Sequence, residues 1–377
     1  KDTRAALGRL GASWRARFSL PVVALTGSNG KTTVKEMLAA ILAAHCGGRD
    51  DVLATEGNLN NDIGLPLMLL RLRDRHRFAV FEMGMNHAGE IDYLSRLASP
   101  SVALVNNAHR AHIGMLGTLE AIAQAKGEIY AGLRAGGIAL VNEDDPFAGY
   151  WKRLATGRRV VTFGTADSAD VRGQIGDGQV GDSPQLRFIT PLDAFIVTLQ
   201  VPGEHNARNA IAAGAAAHAL DIPSRAIQAG LAAFAGTRGR LERRSGDGGS
   251  ALLDDTYNAN PDSMKAAIRV LAAAPGRRVF VMGDMGELGE GAALLHAEIG
   301  AFAKDAGVER LLALGPESVH AVRTFGDGAT HFDTLEALVS EARAQAQPGV
   351  TILVKGSRFM RMERVVDRLA AKDSHAA

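Results

Sequence analysis

The fold of this chain is decided by residues 22–33, which read Val22-Val23-Ala24-Leu25-Thr26-Gly27-Ser28-Asn29-Gly30-Lys31-Thr32-Thr33. The apolar run at the start of this stretch is typical of a buried strand, and the residues from Thr32 onward have the spacing of a helix. A glycine-rich turn between a strand and a helix directs backbone N–H groups toward a phosphate, and the helix N-terminus adds a favourable field. The stretch therefore predicts a phosphate-binding loop, whose residues are Gly27, Ser28, Asn29, Gly30, Lys31, Thr32 and Thr33.

Two side chains of this loop have predicted roles. In loops of this kind the lysine, here Lys31, reaches the β- and γ-phosphates, and the hydroxyl of the next residue, Thr32, ligates Mg²⁺. The spacing departs from the general pattern G-x-x-x-x-G-K-[ST], because Leu25 stands where the first glycine is expected. A Gly-Asn turn before an amphipathic helix is the alternative, but the order of strand, Gly-Lys-Thr and helix favours nucleotide binding.

Beyond this loop, apolar runs alternate with stretches of helical spacing. Strands are predicted at 78–81, 102–105 and 138–141, and helices at 32–44 and 119–133. This alternation predicts an α/β fold with a mostly parallel sheet covered on both faces. Together with the phosphate loop, it predicts a P-loop ATPase domain. Short strand-like pieces between about Val160 and Val201 predict a small antiparallel addition to the sheet.

A second, smaller domain is predicted after a hinge. Alanine-rich helices are expected from about 207 to 235, and the polar, glycine-containing segment 236–240 is interpreted as the hinge between domains. Alternation then resumes, which predicts a Rossmann-like α/β domain. Its predicted strands are 251–253, 278–282, 310–314 and 351–354.

The composition excludes several classes of protein. At 377 residues the chain is long enough for two or three domains, and its formal charge of +1 argues against a general nucleic-acid binder. No apolar stretch approaches the ~18 residues needed to span a bilayer, so we expect no membrane insertion. The single cysteine, Cys46, excludes an internal disulfide and fits a reducing compartment. We expect a cytoplasmic protein without nucleic-acid partners, and a monomer, because nothing in the sequence suggests dimerisation.

Several polar residues follow predicted strands and are expected at the same edge of the sheet as the loop. Glu82 follows the strand 78–81, where its carboxylate could hold a Mg²⁺ that bridges the phosphates. His109 and His112 follow the strand that ends at Val105. Taken singly, each has an ordinary alternative: a strand-end glutamate is often a surface residue, and a lone histidine is more often structural than a ligand.

These motifs, with others in the same order along nearly the whole chain, resemble the Mur ligase family, ATP-dependent amide-bond-forming enzymes of bacterial cell-wall precursor synthesis. The resemblance is carried by residues 26–33, 57–61, 82–84, 111–112, 126–128, 203–206, 209–210, 239–240, 254–261, 282–289 and 355–358. Within the family, the runs 57–61 and 257–261 are similar to those of members that add D-alanyl-D-alanine to UDP-N-acetylmuramoyl-tripeptide. The Asp-Asn-Pro-Arg tetrapeptide of the members that add a diamino acid does not occur in the sequence.

The resemblance implies ATP and Mg²⁺ as cofactors, and it implies metal ligands. Thr32 and Glu82 would hold one Mg²⁺, and His112 would help to bind a second near the γ-phosphate. Lys126 matches a lysine that the family carbamylates, which would convert an ammonium into the oxygen ligand that Mg²⁺ prefers. Without the resemblance, a helix lysine such as Lys126 is expected to be solvated. His109 is then expected to lie behind the ligands or in solvent.

The resemblance also implies roles for residues nearer the C-terminus. Asn206 and Asn209 would face the adenine, Arg240 would reach the phosphates from the hinge, and Asp255 would bind the ribose. Together with Lys31, Lys126 and His112, Arg240 is expected to act in catalysis. The expected substrate-binding residues are Asn258, Asn260, Lys355 and Arg358. Glu287 and Asp284 are interpreted as ordinary loop carboxylates.

The implied reaction activates a carboxylate with ATP as an acyl phosphate, with release of ADP, before an amine attacks. Other functions remain open at this point: another ligase of the family, either tripeptide-forming or similar to folylpolyglutamate synthase, a non-catalytic ATP-binding scaffold, or a P-loop kinase. The family has an N-terminal domain that binds the uridine nucleotide, and we expect 1–17 to be the remnant of that domain and its linker. The central ATP-binding domain is predicted at 18–237 and the C-terminal domain at 238–377.

Overall fold

The computed structural model describes residues 2–111, 113–176 and 184–371. The strands among these residues form two sheets. The strands of the first sheet are β1 Val22–Thr26, β2 Val52–Ala54, β3 Phe78–Glu82, β4 Val102–Val105, β5 Ile138–Asn142, β6 Arg159–Gly164, β7 Val171–Ile175, β8 Gln185–Ile189 and β9 Ala194–Thr198. Those of the second sheet are β10 Glu242–Ser245, β11 Ala251–Asp255, β12 Arg277–Gly283, β13 Arg310–Leu314, β14 Ala329–Phe332 and β15 Val350–Lys355.

Helices cover both sheets. They are α1 Thr3–Arg15, α2 Lys31–Cys46, α3 Gly64–Leu69, α4 Glu90–Ala98, α5 Ile113–Leu116, α6 Leu119–Gly127, α7 Ala148–Leu154, α8 Glu204–His218, α9 Ser224–Ala233, α10 Pro261–Ala272, α11 Ala292–Asp305, α12 Val319–Phe325, α13 Leu335–Gln345 and α14 Glu363–Leu369. No helix in the described part of the chain is both long and apolar enough to cross a bilayer.

The first sheet has the strand order β2-β3-β1-β4-β5-β6-β7-β8-β9. Strand β1 pairs in parallel with β3 and β4. It is buried along its whole length, because helices cover both faces of the sheet. Among the described strands of this sheet, the pairs β7–β8 and β8–β9 alone are antiparallel. The prediction that the antiparallel addition begins near Val160 was wrong for β6, which pairs in parallel with both β5 and β7.

The second sheet has the order β10-β11-β15-β12-β13-β14 and is parallel except at β10. The mixed α/β architecture predicted from the sequence is confirmed. The apolar runs did not indicate the short edge strands β2, β10 and β14; β10, with the sequence Glu-Arg-Arg-Ser, shows why. Strand β10 is only partly buried, so its sequence carries little hydrophobic pattern, whereas β2 is buried but only three residues long.

Helix α1 packs against the first sheet's helical layer. The indole Nε1 of Trp14 donates to the carbonyl oxygen of Leu72 at 3.1 Å, and the buried guanidinium of Arg15 donates to the carbonyl oxygens of Ala98 and Phe18. The segment before β1 is thus anchored in this structure. The domain limits 1–17, 18–237 and 238–377 stay predictions.

Candidate active site

The predicted phosphate loop joins β1 to α2 at the carboxyl edge of the first sheet. Gly30 adopts φ +78°, and a Cβ added there would lie 2.2 Å from the Oδ1 atom of Asn209, so this position requires glycine. Asn107, which follows β4, holds the loop: its carbonyl oxygen accepts from Ser28 N–H at 3.0 Å and its Oδ1 from Asn29 N–H at 2.9 Å. The loop is therefore shaped before any ligand binds.

Lys31 folds over this loop. Its Nζ donates to the carbonyl oxygen of Gly27 at 2.7 Å. Burial lowers the pKa of Lys31; the charge of Glu82 opposes this effect, and that of Arg240 adds to it. A cation in such a site is stabilised by an incoming anion, as a phosphate would be.

Glu82 lies at the end of β3, next to Thr32. Glu82 is only 3% exposed, and its Oε2 accepts from the Thr32 hydroxyl at 2.9 Å. Its Oε1 accepts from the Nδ2 of Asn60 at 2.8 Å. Asn60 was not among the predicted site residues, although it lies in the quoted run 57–61. The pair of oxygens from Thr32 and Glu82 is a donor set that suits Mg²⁺.

Lys126 is a buried lysine in α6 that is 2% exposed. Burial lowers the pKa of Lys126 well below its ordinary value, and the positive charge of Lys31 lowers it further. Its side chain is therefore not solvated, as an ordinary helix lysine would be. His112 lies outside the described residues.

The two predicted adenine residues are buried in the first turns of α8. Asn206 donates through Nδ2 to the carbonyl oxygen of Pro202 at 2.7 Å, and Asn209 Oδ1 accepts from Asn106 Nδ2 at 3.1 Å. Both asparagines line the same cavity as Lys31. Asn106 Nδ2 also donates to the carbonyl oxygen of Asn29 in the loop at 3.0 Å. Asn106 therefore links α8 to the loop.

The hinge brings a cation from the second half of the chain to the loop. The Nη2 of Arg240 donates to the Thr32 hydroxyl at 3.2 Å, and its guanidinium lies 4.1 Å from the ring centroid of Tyr257. Asp255, at the end of β11, accepts from Leu241 N–H at 3.2 Å and pairs with Lys355 at 2.5 Å. Arg240 therefore contacts the loop, and Asp255 lines the same cavity.

The four predicted substrate residues are not equally placed. Asn258, Asn260 and Lys355 line the cavity. Burial lowers the pKa of Lys355, against the effect of its partner Asp255, and its Nζ also donates to the carbonyl oxygen of Asn258 at 2.8 Å. Arg358 does not line the cavity; its side chain is 61% exposed and pairs with Glu363 at 2.8 Å.

Lys31, Glu82, Asn209, Arg240 and Lys355 line one cavity of about 1960 Å³ between the two sheets. Besides the contact of Arg240 with Thr32, Asn260, the N-cap of α10, donates to Asn29 Oδ1 at 2.7 Å, and Arg110 also bridges the two halves. The guanidinium of Arg110 pairs with Asp262 at 2.8 Å and with Glu298 at 2.9 Å. Sequence reasoning missed Arg110, because its partners are more than 150 positions away.

We predict that Arg110→Ala loosens the contact between the two halves. Asp262 and Glu298 would keep their charges but lose the guanidinium that pairs with both. We expect this loss to lower the free energy of unfolding by about 1–3 kcal/mol for these partly buried groups. Small-angle scattering should show a larger radius of gyration, and thermal unfolding a lower Tm. Arg110→Lys should not restore either value, since lysine cannot bind two carboxylates in one plane.

The matched control is Arg96→Ala, because exposed Arg96 pairs with Asp92 within the same helix. An Arg110→Ala protein as compact and as stable as this control would contradict the prediction.

Comparisons with known proteins agree with this geometry. The model of the Mur ligase middle domain matches residues 25–217, and that of the Mur ligase, glutamate ligase domain matches residues 239–358. The chain is 44% identical over 373 residues to UDP-N-acetylmuramoyl-tripeptide–D-alanyl-D-alanine ligase of Escherichia coli strain K12, covering 98% of this chain and 81% of the relative. It is 35% identical to the enzyme of the same name from Bacillus subtilis strain 168, covering 98% and 80%.

Solved structures are similar over the same extent. MurF from Acinetobacter baumannii superposes with a TM-score of 0.89 at 39% identity, covering 97% of this chain and 80% of that one. MurF ligase from Thermotoga maritima in complex with ADP gives a TM-score of 0.84 at 27% identity, covering 98% and 83%. With both halves matched and a phosphate loop facing a hinge arginine across one cavity, the chain belongs to the Mur ligase family.

Proposed function

We propose that this protein is an ATP-dependent ligase that joins D-alanyl-D-alanine to UDP-N-acetylmuramoyl-tripeptide, releasing ADP, in peptidoglycan precursor synthesis. The observation that carries the proposal is the convergence of Lys31, Glu82 and Arg240 on one cavity that both halves of the chain line, with the Thr32 hydroxyl bonded to both Glu82 and Arg240. The 44% identity to a ligase of that name supports the choice of substrates.

The residues present fit both ATP and Mg²⁺. The loop offers backbone N–H groups and Lys31 to phosphates, and Thr32 and Glu82 offer oxygens that Mg²⁺ prefers. A carbamate on Lys126 would add further oxygens, and His112 would complete the second site. When bound, Mg²⁺ would neutralise charge on the phosphate oxygens.

Transfer of the γ-phosphoryl group to the tripeptide carboxylate would require charge stabilisation more than covalent chemistry from the protein. Lys31, already preorganised over the loop, and Arg240, held at the hinge, would supply that stabilisation. Asn206 and Asn209 would orient the adenine, and Asp255 the ribose. The interdomain contacts of Arg110 and Asn260 would keep the cavity closed, which protects an acyl phosphate from water.

The amine substrate would then meet residues of the second half of the chain. Asn258, Asn260 and Lys355 line the cavity there and are proposed to bind substrate. The role of Arg358 stays a prediction, and its exposed position makes it the residue we would test last. We also propose that the protein acts in the cytoplasm, where ATP is available, and as a monomer.

The test is ADP release in the presence of Mg²⁺ and ATP, with the UDP-linked tripeptide and D-alanyl-D-alanine added separately and together. We expect ADP release that requires both substrates, and mass spectrometry should detect the joined pentapeptide product. A phosphorylated product that needs no amine would indicate a kinase. ATP binding without substrate-dependent turnover would support a non-catalytic scaffold, and turnover with other amines would indicate a different ligase of the family.

A further inference from the structure

The first turn of α10, in the second half of the chain, contacts the phosphate-binding loop of the first half. Asn260, the N-cap of this helix, accepts from the Ser263 N–H through Oδ1 at 2.9 Å. This bond leaves the amide nitrogen facing the loop, where Nδ2 donates to Oδ1 of Asn29 at 2.7 Å. The cap of α10 therefore fixes which way the Asn260 amide points, and that amide holds a residue of the loop.

The amide of Asn29 in turn contacts His109, which follows β4. Its Oδ1 is occupied by Asn260, and its Nδ2 lies 3.2 Å from Nδ1 of His109. An amide nitrogen can only donate, so Nδ1 is the acceptor. The backbone of His109 also binds the Ser28 hydroxyl: the N–H donates to Oγ at 2.9 Å, and the carbonyl oxygen accepts from it at 2.9 Å. His109 thus holds two neighbouring residues of the loop, Ser28 and Asn29.

Asp262 returns this series of contacts to α10. Its Oδ2 accepts from the backbone N–H of Arg110 at 2.9 Å, and its Oδ1 accepts from the guanidinium at 2.8 Å. Because His109 precedes Arg110 directly, Asp262 fixes the backbone of the segment that holds the loop. Asn260, Asn29, His109, Arg110 and Asp262 therefore form a closed ring that begins and ends on α10.

The charge of Asp262 is neutralised by Arg110. Burial raises the pKa of Asp262, but the hydrogen bonds and the charge of Arg110 outweigh this effect and lower the pKa below its ordinary value. Asp262 and Asn29 line the same cavity as Lys31. An unpaired carboxylate in that cavity would repel a triphosphate, whereas a paired one can fix the backbone without this cost.

We propose that Asp262 and Asn260 are positioning residues of the ATP site, which hold Ser28 and Asn29 in the conformation that receives the phosphates. This inference rests on the proposed function, because it takes ATP as the ligand of the loop. Asn107 restrains the loop from within the first half of the chain, and the ring adds a restraint from the second half. A loop with fewer conformations loses less entropy on binding. Nucleotide affinity therefore depends on the contact of α10 with the loop.

Nucleotide affinity can be measured without turnover, by isothermal titration calorimetry with Mg²⁺ and the non-hydrolysable ATP analogue AMP-PNP. The dissociation constant should be about 10-fold higher for Asp262→Ala than for the wild type, within the usual range of coupling between sites. Charge alone predicts the opposite, because removing a carboxylate near a triphosphate raises affinity. Asp262→Asn keeps an acceptor for the Arg110 N–H and should stay within about threefold of the wild type.

The matched control is Glu298→Gln, because Glu298 pairs with the same guanidinium at 2.9 Å and with Lys265 at 2.6 Å. In the described part of the chain it has no bond to the Arg110 N–H or to the loop. Asp262→Ala and Glu298→Gln should both lower Tm, because each leaves Arg110 with one carboxylate. Glu298→Gln should nevertheless keep the dissociation constant within about twofold of the wild type. An equal loss of affinity in both variants would assign the effect to looser contact between the halves and overturn the inference.

Asn260→Ser interrupts the ring at a second position. Serine still caps α10 but is too short to reach Asn29, so the dissociation constant should rise about fivefold. When Asn260→Ser is combined with Asp262→Ala, the loss should be smaller than the product of the two separate losses, because one break already frees the loop. Unchanged affinity in both single variants, or losses that multiply, overturns the inference. Wild-type protein that binds no AMP-PNP contradicts the proposed function, and the inference fails with it.

Discussion

Replacing Lys31 by alanine is expected to lower the rate of product formation by about 1000-fold, the upper range for losing one preorganised group that stabilises a transition state. Lys31 is the cation that the loop carries within itself, folded over the carbonyl oxygen of Gly27 and partly neutralised by Glu82. Steady-state assays of ADP release with both substrates measure the effect. Thermal unfolding should show no loss of stability, since burial already disfavours the charged form of Lys31.

The matched control is Lys304→Ala, in α11, whose Nζ contacts only the carbonyl oxygen of Asp327 and the Phe325 ring among the described residues. This control should keep its activity. A Lys31→Ala enzyme that retains more than a tenth of the wild-type rate would show that the loop backbone and Arg240 suffice, and would remove Lys31 from the proposed mechanism.

Replacing Lys126 by methionine is expected to lower the rate of product formation by about 100-fold or more. Burial lowers the pKa of Lys126 and so favours the neutral amine, which is the form that reacts with CO₂ to give a carbamate. Activity of the wild type should therefore fall in CO₂-depleted buffer and recover on adding bicarbonate. A ¹³C signal of a carbamate after labelling with ¹³C-bicarbonate, absent from Lys126→Met, would identify the group directly.

The same variant should be more stable than the uncarbamylated wild type. Because the pKa of Lys126 is lower in the folded chain than its ordinary value of 10.5, the unfolded state binds more protons between the two values. Stability of uncarbamylated wild type must then rise with pH in that window. Lys126→Met removes this penalty and should raise Tm by about 2–4 °C in CO₂-free buffer at pH 7. Wild-type activity that does not depend on CO₂, together with a lower Tm for the variant, would contradict the carbamate proposal.

The local part of the site could be predicted from the sequence. The phosphate loop follows from an apolar strand, a glycine turn and a helix, and Glu82 follows from the end of the apolar strand β3. Hydrogen bonding and burial within a short window set these conformations, and parallel strands deliver their carboxyl ends to one edge. The edge strand β10 could not be predicted in this way, because it buries too little surface to show a pattern.

The contacts between distant segments could not be predicted from spacing. Asn60 meets Glu82, Asn29 meets Asn260, and Arg110 meets Asp262 only because separate elements pack together. Arg358 shows the converse: its motif places it three residues after Lys355, yet β15 ends at Lys355 and the following turn directs Arg358 into solvent.

The sequence by itself therefore determined the fold class, the phosphate loop and the order of the family's motifs, since each depends on residues that lie close together in the chain. Only the tertiary structure decided which half supplies which charge to the cavity. Glu287, whose φ is +63°, is the clearest case: its carbonyl oxygen accepts from the N–H of Gly114, more than 170 positions earlier. A short window of sequence carries no information about such a contact, because its free energy arises from packing and hydrogen bonds between the two halves.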